Sequence, residues 1–261
     1  MIRQIARRMT VYVDRFNRLQ GLPVTRQYET GPAWRFPAEN MAAVKVGKAV
    51  RLASGLHAML ALYDRGFVME ALTLVRPHLD FVDDILLMDA GPAFGSDGTK
   101  AARQLRDAFF FEMTSADERL PAFPSRREIQ SVIRKSREKK LEALAKSDLP
   151  LDPLHAHEIL EELSRRRDSV GRYTNDVVHQ GYDYIMSMYD PNVERFELEG
   201  TKAQILLDLC GSQIIGATNY FLVAFGVMAS SRGMSDIVDE VKAFHAALEE
   251  RGEQAHSRSP H

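Results

Sequence analysis

The segment with the clearest potential for chemistry is residues 170–189, which contains Arg172, Asn175 and His179. Arg172 and His179 are seven positions apart, so on a helix they share one face, about 10 Å apart along its axis. Asn175 and Asp183 each lie four residues from His179, and a polar neighbour there can set the tautomer of the imidazole. We therefore predict Arg172, Asn175 and His179 as candidate catalytic residues, with His179 oriented by Asn175 or by Asp183.

The alternative for the same segment is a solvated helix face that carries a histidine by chance. An apolar stripe on the opposite side of this predicted helix should face the core in either case. Its members are Val170, Tyr173, Val177, Gly181, Tyr184 and Met188.

The pair Arg172–x6–His179 resembles the Arg–x4-6–His motif of HEPN-like helical proteins. The resemblance implies a core built from paired helices, a homodimer that brings two motifs together, and cleavage of RNA without a metal ion. In such a reaction the histidine would move a proton while the arginine stabilises the anionic phosphorane. Tyr173 departs from the motif, because a small polar residue commonly follows the arginine in that family.

A second resemblance joins two helices that are distant in the chain. Arg76–x3–Asp80, followed about a hundred residues later by Tyr173–x5–His179, is similar to a pattern in uncharacterised all-helical bacterial proteins. Those proteins have an Arg–x3–Glu helix before the Tyr–x5–His helix, so Asp80 replaces a glutamate here. The similarity spans roughly residues 40–230 and implies a helical fold without implying an activity.

The predicted helix 67–89 carries a polar stripe on an otherwise apolar segment. Three carboxylates of this stripe, Glu70, Asp80 and Asp84, could hold a cation or a small polar ligand in an internal cleft, or pair with Arg172. A solvent-facing stripe is the alternative. Pro77 lies on the same stripe and is predicted to kink the helix, since it removes one backbone hydrogen bond.

Other chemical motifs are sparse in the sequence. The one Glu–x-x–His pair, Glu253–His256, lies in the polar C-terminal tail, and His157–Glu161 offers no evident third ligand, so no metal site is predicted. Sequence motifs for nucleotide cofactors and for serine hydrolases are also missing, so no cofactor is predicted. Cys210 is predicted to be an inert core thiol.

A basic segment offers a second point of contact with RNA. The predicted helix 125–140 contains seven arginine and lysine residues against two glutamates. Such an excess could hold the phosphates of RNA, although a solvated helix face gives the same pattern. Aromatic residues are missing from this segment, so the contact would be to the RNA backbone and not to bases.

Composition limits the broader classes of protein. The 261 residues carry a net charge of −2 and a single cysteine, which excludes an intramolecular disulfide framework and favours a reducing, cytoplasmic location. The N-terminus has charges where a signal peptide would be apolar. The uncharged stretch Leu209–Ser231 is long enough to span a membrane, but its polar residues favour a buried central helix, so no membrane contact is predicted.

Helical periodicity predicts an all-α protein, a single bundle of about eight to ten helices with long central ones. Residues 1–250 form one predicted domain and residues 251–261 a disordered tail. The stretch 21–37 is predicted to be a long loop whose Trp34 is pinned to the core. The predicted helices cover residues 2–20, 39–64, 67–89, 99–113, 125–146, 154–168, 170–189, 201–230 and 235–250. A short turn at Asp64–Gly66 is predicted to connect the second and third of them as antiparallel neighbours.

Three classes of function follow from these observations. In the first, which the resemblance implies, the chain is expected to be an HEPN-like dimer that cleaves or binds RNA through Arg172 and His179, as part of a bacterial defence or toxin–antitoxin system. Alternatively, it is a non-catalytic scaffold, or a bundle that binds a cation or small polar ligand along Glu70, Asp80 and Asp84. Any site is predicted where helix 170–189 passes helix 67–89.

Overall fold

A computed structural model describes most of the chain outside its middle third. The described residues are 1–28, 31–90, 95–110, 189–190 and 194–257, together with residues 127, 129, 131, 135 and 186. Their secondary structure is mostly helical. The helices are α1 (Ile2–Gln20), α2 (Met41–Tyr63), α3 (Val68–Ala90), α4 (Gly95–Phe110), α5 (Gln204–Ser230) and α6 (Ser235–Ser257), and the strands are β1 (Val24–Tyr28), β2 (Gly31–Arg35), β3 (Tyr189–Asp190) and β4 (Arg195–Phe196).

The predicted all-α bundle of eight to ten helices is therefore correct only in being mostly helical. The described part of the chain contains six helices and two small antiparallel hairpins. Helix α6 also continues to Ser257, beyond the predicted end at residue 250.

The loop predicted over residues 21–37 is a correction to the sequence analysis, because the structure places β1 and β2 there. Val24 pairs with Arg35 and Tyr28 with Gly31, and Gly31 has φ +117°, a value that favours glycine. Trp34 is 71% exposed, so it is not pinned to the core. Phe36, just after β2, makes the contact with the core instead. The sequence did not predict this hairpin because apolar and polar residues do not alternate along either strand.

The core is formed where α3 packs between α2 and α5, with α1 on α2 and α6 on α5. The predicted turn at residues 64–66 is confirmed as the connection between α2 and α3. Its Gly66 has φ +78° and its carbonyl accepts a hydrogen bond from the amide of Thr201, at 2.9 Å. This contact fixes the start of α3 beside the segment that leads into α5.

Helix α5 is long and apolar enough to cross a membrane by length and composition. It is also the helix whose inner face carries a large share of the described core, including Cys210, Ile214, Phe221 and Phe225. Thr218 is fully buried there, and its hydroxyl donates to the carbonyl of Ile214 at 2.7 Å. Burial of this kind is typical of a central helix in a packed bundle.

Two arginine–carboxylate ion pairs connect α1 to α6 at the protein surface. One guanidinium nitrogen of Arg8 donates a hydrogen bond to Glu240 at 2.7 Å, and Arg15 donates to both carboxylate oxygens of Asp236, at 2.5 and 3.1 Å. Bidentate pairs of this type are the stronger class of arginine–carboxylate contact. They position the N-terminal helix against the C-terminal one.

Candidate functional site

The predicted catalytic residues Arg172, Asn175 and His179 lie outside the residues that the structure describes, as does Tyr173. Their roles therefore stay predictions. The other half of the predicted site, the polar stripe of α3, lies within the described residues.

The stripe of α3 runs from solvent into the protein. Glu70 and Pro77 are exposed, Asp80 is partly covered, and Asp84 is fully buried at 0% exposure. Glu70 and Asp84 are about 21 Å apart along the helix axis, so they lie in two different environments. The structure thus separates Glu70 from the acidic residues with which the sequence grouped it.

Arg76 and Asp80 are brought together on the half-covered middle of the stripe. A guanidinium nitrogen of Arg76 lies 3.9 Å from Oδ1 of Asp80, one helical turn away, and their side chains are 30% and 20% exposed. At that distance the two groups attract each other without forming a hydrogen bond. The partial cover still makes the attraction stronger than that of a fully solvated pair.

Farther along α3, Asp84 is covered by α2 and pairs with a lysine. The Nζ of Lys48 lies 3.0 Å from Oδ2 of Asp84 and 4.8 Å from the centre of the Phe81 ring. A second pair, Lys45 with Asp89 at 3.2 Å, lies one turn away on the same two helices. Because an aspartate is almost never fully buried without a partner, the contact with Lys48 stabilises Asp84 in this position.

Helix α4 closes over Lys48 through an aromatic contact. The Phe109 ring lies 5.8 Å from the Nζ of Lys48, and a Cβ added at Gly47 would stand only 2.6 Å from a carbon of that ring. Glycine at position 47 therefore allows α4 to approach α2 closely enough to cover the lysine. The Lys48–Asp84 ion pair is therefore largely shielded from solvent between α2, α3 and α4.

His78 is a buried titratable residue that the sequence analysis passed over. Its side chain is 3% exposed on the inner face of α3, where its ring packs edge-on against Phe81 with 5.3 Å between centres. Nδ1 lies within hydrogen-bond distance of the Leu74 carbonyl, and Nε2 lies 3.1 Å from the Arg51 carbonyl of α2. Burial lowers the pKa of His78, and the two carbonyls only partly oppose that effect.

A signal for His78 is present in the sequence, though it is weak. His78 follows Pro77 and stands on the same helical face as Leu74 and Phe81, four residues before and three residues after it. A histidine on such an apolar face points into the core. Only the structure adds that Gly55 on α2 leaves the space for its ring, which a Cβ at position 55 would overlap.

The basic segment 125–140 is described at four positions, all of them helical: Arg127, Ile129, Ser131 and Lys135. Ile129 is buried in a cluster with residues of α2, α3 and α4, including Val44, Leu87 and Leu105. Arg127 and Lys135 are exposed. At these positions the segment is amphipathic, with its apolar side held against the bundle.

The described residues include no group of three histidine, cysteine, aspartate or glutamate side chains that could hold a metal ion. Cys210 is fully buried, its Sγ lies 3.6 Å from the carbonyl of Val68, and burial raises the thiol pKa to about 12. A thiol in that state is a poor nucleophile, as the sequence predicted. No family model, curated protein or solved structure matches the chain.

Proposed function

We propose that the protein is an HEPN-like RNA-cleaving enzyme that needs no metal ion and that uses Arg172, Asn175 and His179 on its substrate. The observation that carries the proposal is the polar stripe of α3, in which the side chain of Asp80 is 20% exposed and Asp84 is fully buried. This helix carries the first half of the two-helix pattern that resembles uncharacterised all-helical bacterial proteins, and the second half contains His179.

Buried charge is the reason that this stripe supports a site. Keeping Asp84 and Lys48 away from water costs more than apolar side chains of similar size would, so stability alone does not favour them. Charged groups held in such places are enriched at functional sites, although structural ion pairs also occur there. A stripe that was only solvent-facing would have left Asp84 exposed like Glu70.

The reaction is an internal displacement at phosphorus. His179 accepts the proton of a ribose 2′-hydroxyl, or returns a proton to the leaving 5′-oxygen, while Arg172 stabilises the charged phosphorane. The new bond joins the 2′-oxygen to phosphorus and the bond from phosphorus to the 5′-oxygen breaks. The products are a 2′,3′-cyclic phosphate and a free 5′-hydroxyl, so no external reactant is consumed.

The described residues would serve this reaction as supports. Arg76 and Asp80 attract one another in the partly covered middle of the stripe, while Lys48 holds Asp84 in place. Exposed Arg127 and Lys135 offer charges to an RNA backbone. We further propose a cytoplasmic homodimer, because the resemblance implies that two motifs converge to complete one site.

The test is cleavage of single-stranded RNA by the purified chain in the presence of EDTA. We expect cyclic-phosphate products from the wild type, and at least a hundredfold lower rate from His179→Ala with an unchanged circular dichroism spectrum. His57→Ala is the matched control, since His57 is an exposed histidine on α2, and its rate should equal that of the wild type.

Two results would overturn the proposal. Equal rates for wild type and His179→Ala would assign the cleavage to a contaminant or to other residues. A wild type that neither cleaves nor retains RNA would leave the scaffold as the better description of the protein.

A further inference from the structure

One face of the β1–β2 hairpin is exposed to solvent and carries the only tryptophan of the chain. Thr25 pairs with Trp34 and Gln27 with Pro32, so these four residues share one face of the two-stranded sheet. All four are exposed, and Trp34 is 71% exposed. Together they form the tryptophan face of the hairpin.

The stability of the hairpin does not account for an indole at this position. Thr25 is the direct cross-strand neighbour of Trp34 and is itself exposed, so the indole shields little of β1 from water. The contact between this region and the core is made by Phe36 instead. A large aromatic ring presented to solvent is typical of surfaces that bind a flat or apolar group.

The neighbours of the indole favour a ligand that has hydrogen-bonding edges and negative charge as well as a flat ring. The hydroxyl of Thr25 and the amide of Gln27 each donate and accept, and both lie within reach of a group placed on Trp34. The guanidinium of Arg35 donates to the main-chain carbonyl of Trp34 at 3.0 Å, which places a positive charge beside the ring-bearing residue. Over residues 24–35 the sequence has two arginines against one glutamate.

Two other occupants fit this face less well. A further strand along β2 would need its main-chain groups, but Pro32 has no amide proton and the Trp34 carbonyl already accepts from Arg35. A membrane surface would accommodate the indole, but Thr25 and Gln27 on the same face would lose water without gaining partners.

We propose that the tryptophan face binds an unpaired base of single-stranded RNA, with the base stacked on Trp34. Thr25 and Gln27 then face the edge of the base, and Arg35 attracts the adjacent phosphate. A base within a duplex is already stacked on its neighbours, so this face selects single strands. The choice of RNA rests on the proposed function, whereas the binding itself needs no residue of the cleavage site.

The fluorescence of Trp34 reports directly on the ring that should stack, because the chain has no other tryptophan. The wild type is titrated with a 2′-O-methyl oligouridylate of about twelve nucleotides. This probe has no free 2′-hydroxyl, so the proposed reaction cannot cleave it. An abasic oligomer with the same backbone and length is the matched control. We expect the oligouridylate to quench at least half of the fluorescence and the abasic oligomer to leave it nearly unchanged.

Variants separate stacking from charge when binding is followed by the anisotropy of a dye on the oligouridylate. Trp34→Ala should weaken binding by roughly five- to a hundredfold, and Trp34→Phe, which keeps an aromatic ring, should lose less. Arg35→Gln should lower the salt dependence by about one phosphate contact. Leu198→Ala is the control, because Leu198 is 76% exposed outside the hairpin, and its binding should equal that of the wild type.

Equal binding of the two oligomers, or of the wild type and Trp34→Ala, would overturn the inference. Quenching by anionic lipid vesicles or by raised protein concentration, but not by the oligouridylate, would assign the face to a membrane or to a second copy and would also overturn it. Cleavage of unmodified RNA without quenching would overturn this inference alone. Quenching of Trp34 by the oligouridylate without cleavage of unmodified RNA would support it while contradicting the proposed function.

Discussion

The ammonium of Lys48 and the carboxylate of Asp84 meet 3.0 Å apart between α2 and α3, with the aspartate completely excluded from solvent. This pair is the point at which the polar stripe of α3 enters the protein. It joins two helices whose other contacts are mostly apolar. The strength of the Lys48–Asp84 pair therefore determines how stably the buried end of the polar stripe packs against α2.

Lys48→Met should lower the free energy of unfolding by about 3–5 kcal/mol, because it removes the cationic partner of a buried carboxylate. Urea unfolding followed by circular dichroism measures the loss. The double variant Lys48→Met/Asp84→Leu should recover much of it, since no buried charge then lacks its partner. Lys100→Met on the exposed side of α4 is the control and should change stability by less than about 0.5 kcal/mol. A Lys48→Met protein as stable as the control would contradict the expected role of the pair.

Gly55→Ala should destabilise the protein by about 1–3 kcal/mol or more, because the new methyl group would overlap the His78 ring in a packed interface. The thermal midpoint of unfolding is the measurement. Adding His78→Ala should remove the overlap, so the double variant should lose less than the sum of the two single variants. Ser54→Ala, at the exposed neighbouring position, provides the reference. Strict additivity of the two losses would show that Gly55 and His78 are not in contact.

Asp80→Asn should lower the free energy of unfolding by only about 1 kcal/mol, since Asp80 lies 3.9 Å from Arg76 and both side chains are partly exposed to solvent. A double-mutant cycle with Arg76→Gln should give a coupling of about 0.5 kcal/mol, and 1 M salt should reduce it. The same variants measured for RNA cleavage separate the two roles of the pair. A loss of rate with little loss of stability would place the pair in the site, and unchanged rates would make it structural.

Cys210 should be unreactive toward disulfide reagents in the folded protein, because its thiol is buried and its pKa is raised to about 12. Labelling should require unfolding, so its rate should rise with urea in parallel with the loss of helical signal. Ser212→Cys in a Cys210→Ser background is the control, because Ser212 is exposed two residues farther along α5. Fast labelling of native Cys210 would mean that α5 separates from α3 far more readily than its burial indicates.

The helices were predicted from local periodicity, and the prediction was accurate where apolar residues recur every three or four positions. Helices α2, α3 and α5 begin and end within three residues of the predicted limits, and the turn at residues 64–66 lies where it was predicted. The hairpin of β1 and β2 was not predicted by the same criterion. Its stability depends on pairing between strands, and its exposed Trp34 gives no apolar face to detect.

The polar stripe of α3 was visible in the sequence as spacing, but the environment of each member was not. Glu70, Asp80 and Asp84 look alike along the chain, yet one is solvated, one half-covered and one fully buried. The fully buried member, Asp84, has the ammonium of Lys48 from α2 beside it. His78 follows the same logic, since its two carbonyl partners and the space at Gly55 come from packing between helices. The sequence by itself determined which face of each helix is apolar, through short-range periodicity. Only tertiary packing decided which charged side chains are removed from solvent and which protein groups interact with them there.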